Sequence, residues 1–310
     1  MIRFAPPKKR ETHKKLKLSY RIKQHKTSYL MLAPFVILFV IFTVIPVLTA
    51  IYTSLTKFDM FQMELLLEYD LTNYTRMIED PVLMKALQNT LLFVLFTGPF
   101  GFIFAFLMAW LINEMPRRVR VFLTVLFYAP SVSGNAFVIF TFFFAGDHYG
   151  MLNGILMDMG AIVEPILWLT DVNYNLTVCL IVTIWMSLGI GFIAFIAGFQ
   201  SIDESQYEAG TMDGVHNRFQ ELWYITIPNM KSMLLFAAVI QIAGAWSVGL
   251  VTQALSGGYA SVGYSATTLL NLITDYANVR FEMGYACALG VLLFVLVVLS
   301  KKLIFRLLKF

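Results

Sequence analysis

The sequence predicts an all-α membrane protein: six transmembrane helices with both termini in the cytoplasm. Three observations carry this. Of 310 residues, 58% are hydrophobic and only 14% charged, where a soluble domain carries about 25% charged residues. Six apolar runs reach the roughly 20 residues that a helix needs to cross a bilayer. The lysines and arginines collect on alternate sides of those runs.

The runs cover residues 29–54, 89–112, 119–145, 176–199, 232–252 and 284–305. The first is too long for the apolar part of a signal peptide, about 7–15 residues, and reads as a span. Pro34, Pro46, Pro99, Gly189 and Gly191 fall inside runs. They do not exclude helix, because neighbouring helices can satisfy the backbone groups they free.

Nineteen of the 23 lysines and arginines lie before the first run, between the second and third or at the start of the third, between the fourth and fifth, and at the C-terminus. The other four, Lys57, Arg76, Lys85 and Arg280, fall on the opposite side, and residues 146–175 have none. Basic residues mark cytoplasmic flanks. The chain therefore divides into a basic cytoplasmic tail, residues 1–28, and a six-helix membrane domain, residues 29–310, with a cytoplasmic segment at 201–228. The tail serves as a topology signal and can also hold anionic lipid heads. Nothing beyond its charge points to nucleic acid.

No Asp, Glu, Lys, Arg or His lies well inside a run. A charge at mid-bilayer costs roughly 2.5–3.5 kcal/mol on insertion scales and is kept mainly for ion pathways, proton relays or voltage sensing. Its absence opposes a secondary transporter driven from its own core, although backbone carbonyls can bind sodium. It also removes the usual acid–base groups of an intramembrane enzyme. Cys179 and Cys287 form no disulfide framework, and the four histidines show no metal-ligand spacing. A phosphate-cradling loop needs G-x-x-x-x-G-K-[ST]. The nearest match, Gly258 to Ser265, has Tyr264 where the lysine belongs, so no ATPase is expected on this chain.

The runs do carry neutral polar and aromatic groups: Asn135, Trp185, Ser187, Gln241, Trp246 and Ser247. Such groups suit a polar, uncharged solute. They equally serve as interhelical hydrogen bonds and interfacial anchors. Gln241 and Trp246 stand about 7.5 Å apart along a helix axis and about 140° around it, so they need not share a face.

The cytoplasmic segment is polar and punctuated. Ser201 and Glu204 make a possible capping box for a short helix through Tyr207, Glu208, Ala209 and Met212. Gly210 within it costs about 1 kcal/mol against alanine. Asp213–Gly214 is a turn signal. A second helix can restart at Val215, with Val215, Phe219 and Leu222 on one apolar face. Packing beneath its own bundle and docking to a partner are both open on these grounds.

Glu208-Ala209-Gly210, then Gly214, then Ile225-Thr226-Ile227-Pro228 resembles the "EAA" loop of binding-protein-dependent ABC importer permeases. That pattern is E-A-A, three residues, G, and a stretch ending in I-x-L-P. Gly210 replaces the third Ala and Ile227 the Leu, and the run from Asp213 to Pro228 is one residue longer than usual. The wider context, from "APFVILFVIFTVIPVLTAIYTSLTKFD" to "RFEMGYACALG", is similar to the carbohydrate-importer branch.

The resemblance implies an ABC type I importer permease in a bacterial inner (plasma) membrane. The two short helices would dock into a groove on a cytoplasmic ATPase, with Glu208 pairing with a basic residue there. Asp213 and Gly214 would form the bend, Ala209 and Gly210 would permit close contact, and Phe219, Leu222 and Trp223 would anchor the loop that ends at Pro228. The implied assembly has a second, similar permease, two ATPase subunits and an extracytoplasmic solute-binding protein. Loops 53–88, 146–175 and 253–283 would meet that protein, with Asp158 and Asp171 as acidic contacts. No cofactor is implied on this chain; ATP and Mg belong to the ATPase. The solute implied is a sugar or oligosaccharide. An amino acid or polyamine permease shares the same loop.

Overall fold

A computed structural model describes residues 26–56, 58 and 69–307. Most of the expected basic tail, residues 1–25, and Lys57 lie outside the described residues. Residues up to 50 and from 51 onward form two units. The first holds most of α1 (Lys26–Ser54), which carries a π turn at Val40–Val44 just before Pro46.

The second unit contains α2 (Thr72–Glu79), α3 (Pro81–Asn113), α4 (Arg117–Val132) and α5 (Ala136–Phe143). There follow α6 (Met151–Asp158), α7 (Asn175–Met186), α8 (Ile190–Gln200), α9 (Glu204–Met212) and α10 (Arg218–Glu221). The chain closes with α11 (Lys231–Trp246), α12 (Leu250–Leu255), α13 (Leu269–Asn278) and α14 (Met283–Leu307). Among the described residues, five helical stretches are long and apolar enough to cross a membrane: α1, α3, α7–α8, α11–α12 and α14. The α4–α5 pair makes a sixth if it counts as one span.

That pair corrects the expectation of one helix over 119–145. The chain bends by 86° between α4 and α5. Pro130 lies in the last turn of α4, and Gly134 takes φ +70, a left-handed conformation that breaks the helix. The spans also begin earlier than hydropathy indicates. Lys85, Gln88 and Asn89 dilute the apolar signal, yet Asp80 caps α3 by accepting from the Val82 and Leu83 N–H groups, with Pro81 at the first position.

In lipid no hydrophobic force draws apolar helices together, so association rests on close packing of small residues and on interhelical hydrogen bonds. In the second unit Ala105 and Ala109 are buried small residues on α3, where it packs on α8. Phe195 meets Phe102 and Phe106 edge to face across this contact. On α8, Gly191 faces Ala237 of α11 and Gly198 faces Met230. Trp246 turns away from this core and donates its Nε1–H to Ser300 Oγ of α14 at 3.0 Å.

At one end of the bundle, buried amides pin the loops. Asn89 donates to the carbonyls of Tyr264 and Thr267, and Asn271 to Thr252 Oγ1. Asp80 accepts from the hydroxyls of Tyr285 and Tyr276 with the carboxylate oxygen its cap leaves free. Residues 146–175, expected as a loop, contain α6. Asn153 holds them together: its amide donates to Ala145, Asp147 and Ile166 carbonyls, and its oxygen accepts from Ile166 N and Trp168 Nε1.

Candidate functional site

Irregular backbone at membrane depth is tolerated only where it is buried in protein or lines a cavity. Here it converges. In α3, Pro99 lies within a π turn, Phe96–Phe100. Proline lacks an N–H and its ring collides with the carbonyl four residues back, and the wider turn relieves this. The α7–α8 span is interrupted at Ser187–Gly189, α11–α12 at Ser247–Gly249, and α4 ends at Val132. A cavity of about 530 Å³ lies among these points.

Its polar lining is Thr97, Tyr128, Ser131, Thr183, Ser187 and Gln241, and it holds no charged side chain. Four of the hydroxyls donate to their own helices: Thr97 to Phe93 O, Ser131 to Tyr128 O, Thr183 to Cys179 O and Ser187 to Ile184 O. Each keeps acceptor lone pairs. Gln241 Nε2 donates to Thr97 O, leaving its own amide oxygen as an acceptor. A solute with many hydroxyl groups meets acceptors on several sides and apolar walls from Met186, Ile190 and Val248.

Of the six polar candidates read from the sequence, the structure brings together Ser187 and Gln241. Asn135 is exposed at the α4–α5 bend, and Trp185 packs edge to face on Phe140. Trp246 is buried against α14, and Ser247 bonds back to Ala243 O. Thr97, Tyr128, Ser131 and Thr183 escaped that reading. For Thr97 the signal was punctuation: Thr97-Gly98-Pro99 interrupts an apolar run near its middle, as Ser187-Leu188-Gly189 does in another.

The 201–228 segment folds as two short helical stretches beside the 113–120 link. The N-cap of α9 is Asp203, which accepts from Ser205 N, and not Ser201, whose hydroxyl bonds back to Gly198 O. The Ser205 backbone N–H holds the Asp203 carboxyl below its ordinary value. Helix α9 ends in a Schellman motif: Val215 N donates to Gly210 O and Gly214 N to Thr211 O, with Gly214 at φ +91. The next helix restarts at Arg218 rather than Val215, because Asn217 caps it by accepting from Gln220 N while Gln220 reaches back to His216 N.

A second π turn of the second unit, Leu222–Thr226, follows at once and runs into Ile227 and Pro228. An i→i+5 turn holds one residue more than an α turn. The apolar face expected from spacing is divided. Leu222 and Ile225 are buried, whereas Phe219 and Trp223 are 74% and 69% exposed. Phe219 rests its ring on Trp110 with centroids 5.4 Å apart.

Gly210 is buried inside the segment: an added Cβ would stand 2.4 Å from Ile225 Cδ1. It thus serves internal packing and not an outward face, contrary to the close-contact role expected beside Ala209. The two halves are further joined by Tyr207 with Thr226 and by Asn229 with Gln206. Glu208, Ala209, Met212 and Asp213 are exposed. Glu208 has no ion-pair partner among the described residues.

A bundle whose broken helices enclose an uncharged polar cavity is the architecture of a solute permease. The chain belongs to the family described as the binding-protein-dependent transport system inner membrane component, whose profile matches residues 98–308. It is 29% identical over 289 residues to the probable ABC transporter permease protein YesP of Bacillus subtilis (strain 168), covering 92% of this chain and 91% of that one. It is 31% identical to the lactose transport system permease protein LacF of Rhizobium radiobacter, covering 70% of this chain and 71% of LacF. Its fold matches a chain in the crystal structure of a bacterial ABC transporter involved in the import of the acidic polysaccharide alginate. That match has TM-score 0.79 and 21% identity, covering 94% of this chain and 98% of the other.

Proposed function

We propose that this chain is one of two similar permease subunits in an ATP-driven importer, and that it moves a neutral sugar or oligosaccharide across a bacterial inner membrane. The convergence of the helix interruptions on a charge-free cavity of hydroxyl and amide acceptors carries this reading. Relatives named for lactose and alginate transport support a carbohydrate. The uncharged lining favours a neutral saccharide over a polyamine or an amino acid.

Two ATPase subunits binding ATP and Mg would dock on the exposed Glu208–Asp213 face, with both termini on that cytoplasmic side. A solute-binding protein would deliver the sugar at the opposite end. There Asp158 is exposed, whereas Asp171 is occupied in accepting from Asn173. Asp158 is therefore the more informative charge reversal.

The test is reconstitution of the full complex in proteoliposomes, with a saccharide panel scored for ATP-dependent uptake. Uptake of at least one saccharide that fails without ATP is the expected result. Uptake only of amino acids or polyamines, or uptake driven by an ion gradient without ATP, would overturn the reading.

A further inference from the structure

We propose that α3 receives the motion of the two-helix segment through a clamp at its end, formed by Trp110 and Glu114 against Phe219 and Arg218. Arg218 and Glu114 are positioning residues for transport. This rests on the proposed function above and adds the route by which the segment acts on the bundle.

The two halves of the segment are held differently. Between α9 and the bundle lies a second cavity of about 530 Å³, polar in character, with Glu204 and Tyr207 on one side and Asn113, Arg120 and Gln200 on the other. A push on the exposed face of α9 therefore meets no packed helix directly beneath it. It passes instead into the second half, through Tyr207–Thr226, Gln206–Asn229 and the contact of Gly210 with Ile225.

The second half is seated on the bundle. Leu222 is buried in the cluster that includes Ala109 and Ile112 of α3. Phe219 lies against Trp110. Arg218 bridges Glu221 at 2.8 Å and, across the cavity, Glu114 at 3.3 Å. Its guanidinium is held above its ordinary pKa by the hydrogen bond to Glu221 and the charge of Glu114. The pair is solvent-screened and adds little to stability. Its contribution is geometric, tying the segment to the residue that follows α3.

Along α3, Trp110 stands about 20 Å from Thr97 at 1.5 Å per residue. From Gly101 to Asn113 the helix is regular and packed on α8. At Thr97 it reaches the π turn that lines the solute cavity. A regular rod ending in an irregular turn delivers displacement at that turn. The clamp and the cavity are thus two ends of one element. A physical coupling of this kind is established by non-additive variants, not by spatial intermediacy.

The experiment uses the complete reconstituted complex and measures saccharide moved per ATP hydrolysed. Arg218→Ala and Glu114→Gln should each lower this ratio about fivefold or more, with basal ATPase activity and co-purification of the ATPase unchanged. The double variant should be no worse than either single one, and Arg218→Lys should recover most of the ratio. Wild-type ratios in both single variants would overturn the clamp. So would multiplicative losses in the double variant, or loss of the ATPase on purification, which would make Arg218 a docking residue instead. Failure of the wild-type complex to take up any saccharide with ATP is the separate result that removes the function itself.

Discussion

The side-chain amide of Gln241 on α11 donates to the main-chain oxygen of Thr97, 3.1 Å away at the π turn of α3. Thr97 O also accepts from Gly101 N within the turn. The bond therefore fastens an irregular carbonyl at membrane depth to a second helix, and both residues line the cavity. Gly101 makes room for it: an added Cβ would stand 2.4 Å from Gln241 Nε2 and 2.9 Å from Ser187 Oγ.

Replacing Gln241 with leucine should leave the fold intact and abolish most uptake. Interhelical hydrogen bonds in membranes average about 0.6 kcal/mol, so thermal stability in detergent should fall only slightly. Gly101→Ala should likewise lose transport, because it displaces Gln241 and Ser187 into the cavity. Normal uptake by both variants would separate this cavity from the solute path.

Gly214→Pro should insert normally yet lose ATP-coupled uptake, since proline holds φ near −65° and cannot adopt +91. Glu208→Ala should also lose coupling, but with unchanged stability of the isolated permease, because Glu208 is exposed on this chain. Co-purification with the ATPase, compared with thermal melting, distinguishes the two effects.

Gly210→Ala should be tolerated, because the nearest atom is the tip of the Ile225 side chain, which can rotate. Gly210→Val should not, since a branched side chain there must move the Ile225 backbone. Cross-linking of cysteines placed at 206 and 229 reports whether the two halves stay joined.

Deleting Tyr224 should convert the Leu222–Thr226 turn to ordinary helix and preserve uptake, because a π turn holds one residue more than an α turn. Deleting Thr211 from the regular α9 should abolish uptake. Equal loss from both deletions would refute the assignment of the surplus to the π turn.

The Asp203 cap carries a pH dependence. Its carboxyl is held low in the folded state by the Ser205 N–H, so the cap is intact above the ordinary carboxylate range and weakens as pH falls through the lowered value. Amide hydrogen exchange of residues 204–207 should show this loss of protection at acid pH in wild type. Asp203→Ala should lack the pH step.

Much was legible in the chain itself. Helix number follows from apolar runs because a span must bury about 20 apolar residues and satisfy every backbone group internally. The bend after α9 was legible because Asp213–Gly214 supplies the left-handed residue that a helix C-terminus requires. The 86° break between α4 and α5 was not, since hydropathy averages over backbone direction. Burial of Gly210 and exposure of Phe219 belong to the tertiary structure. A helical period states which residues share a face, but only the neighbouring elements decide which face is covered. The cavity is likewise a property of packing: interruptions far apart in sequence become a site only when α3, α4, α7–α8 and α11 bring them to one place.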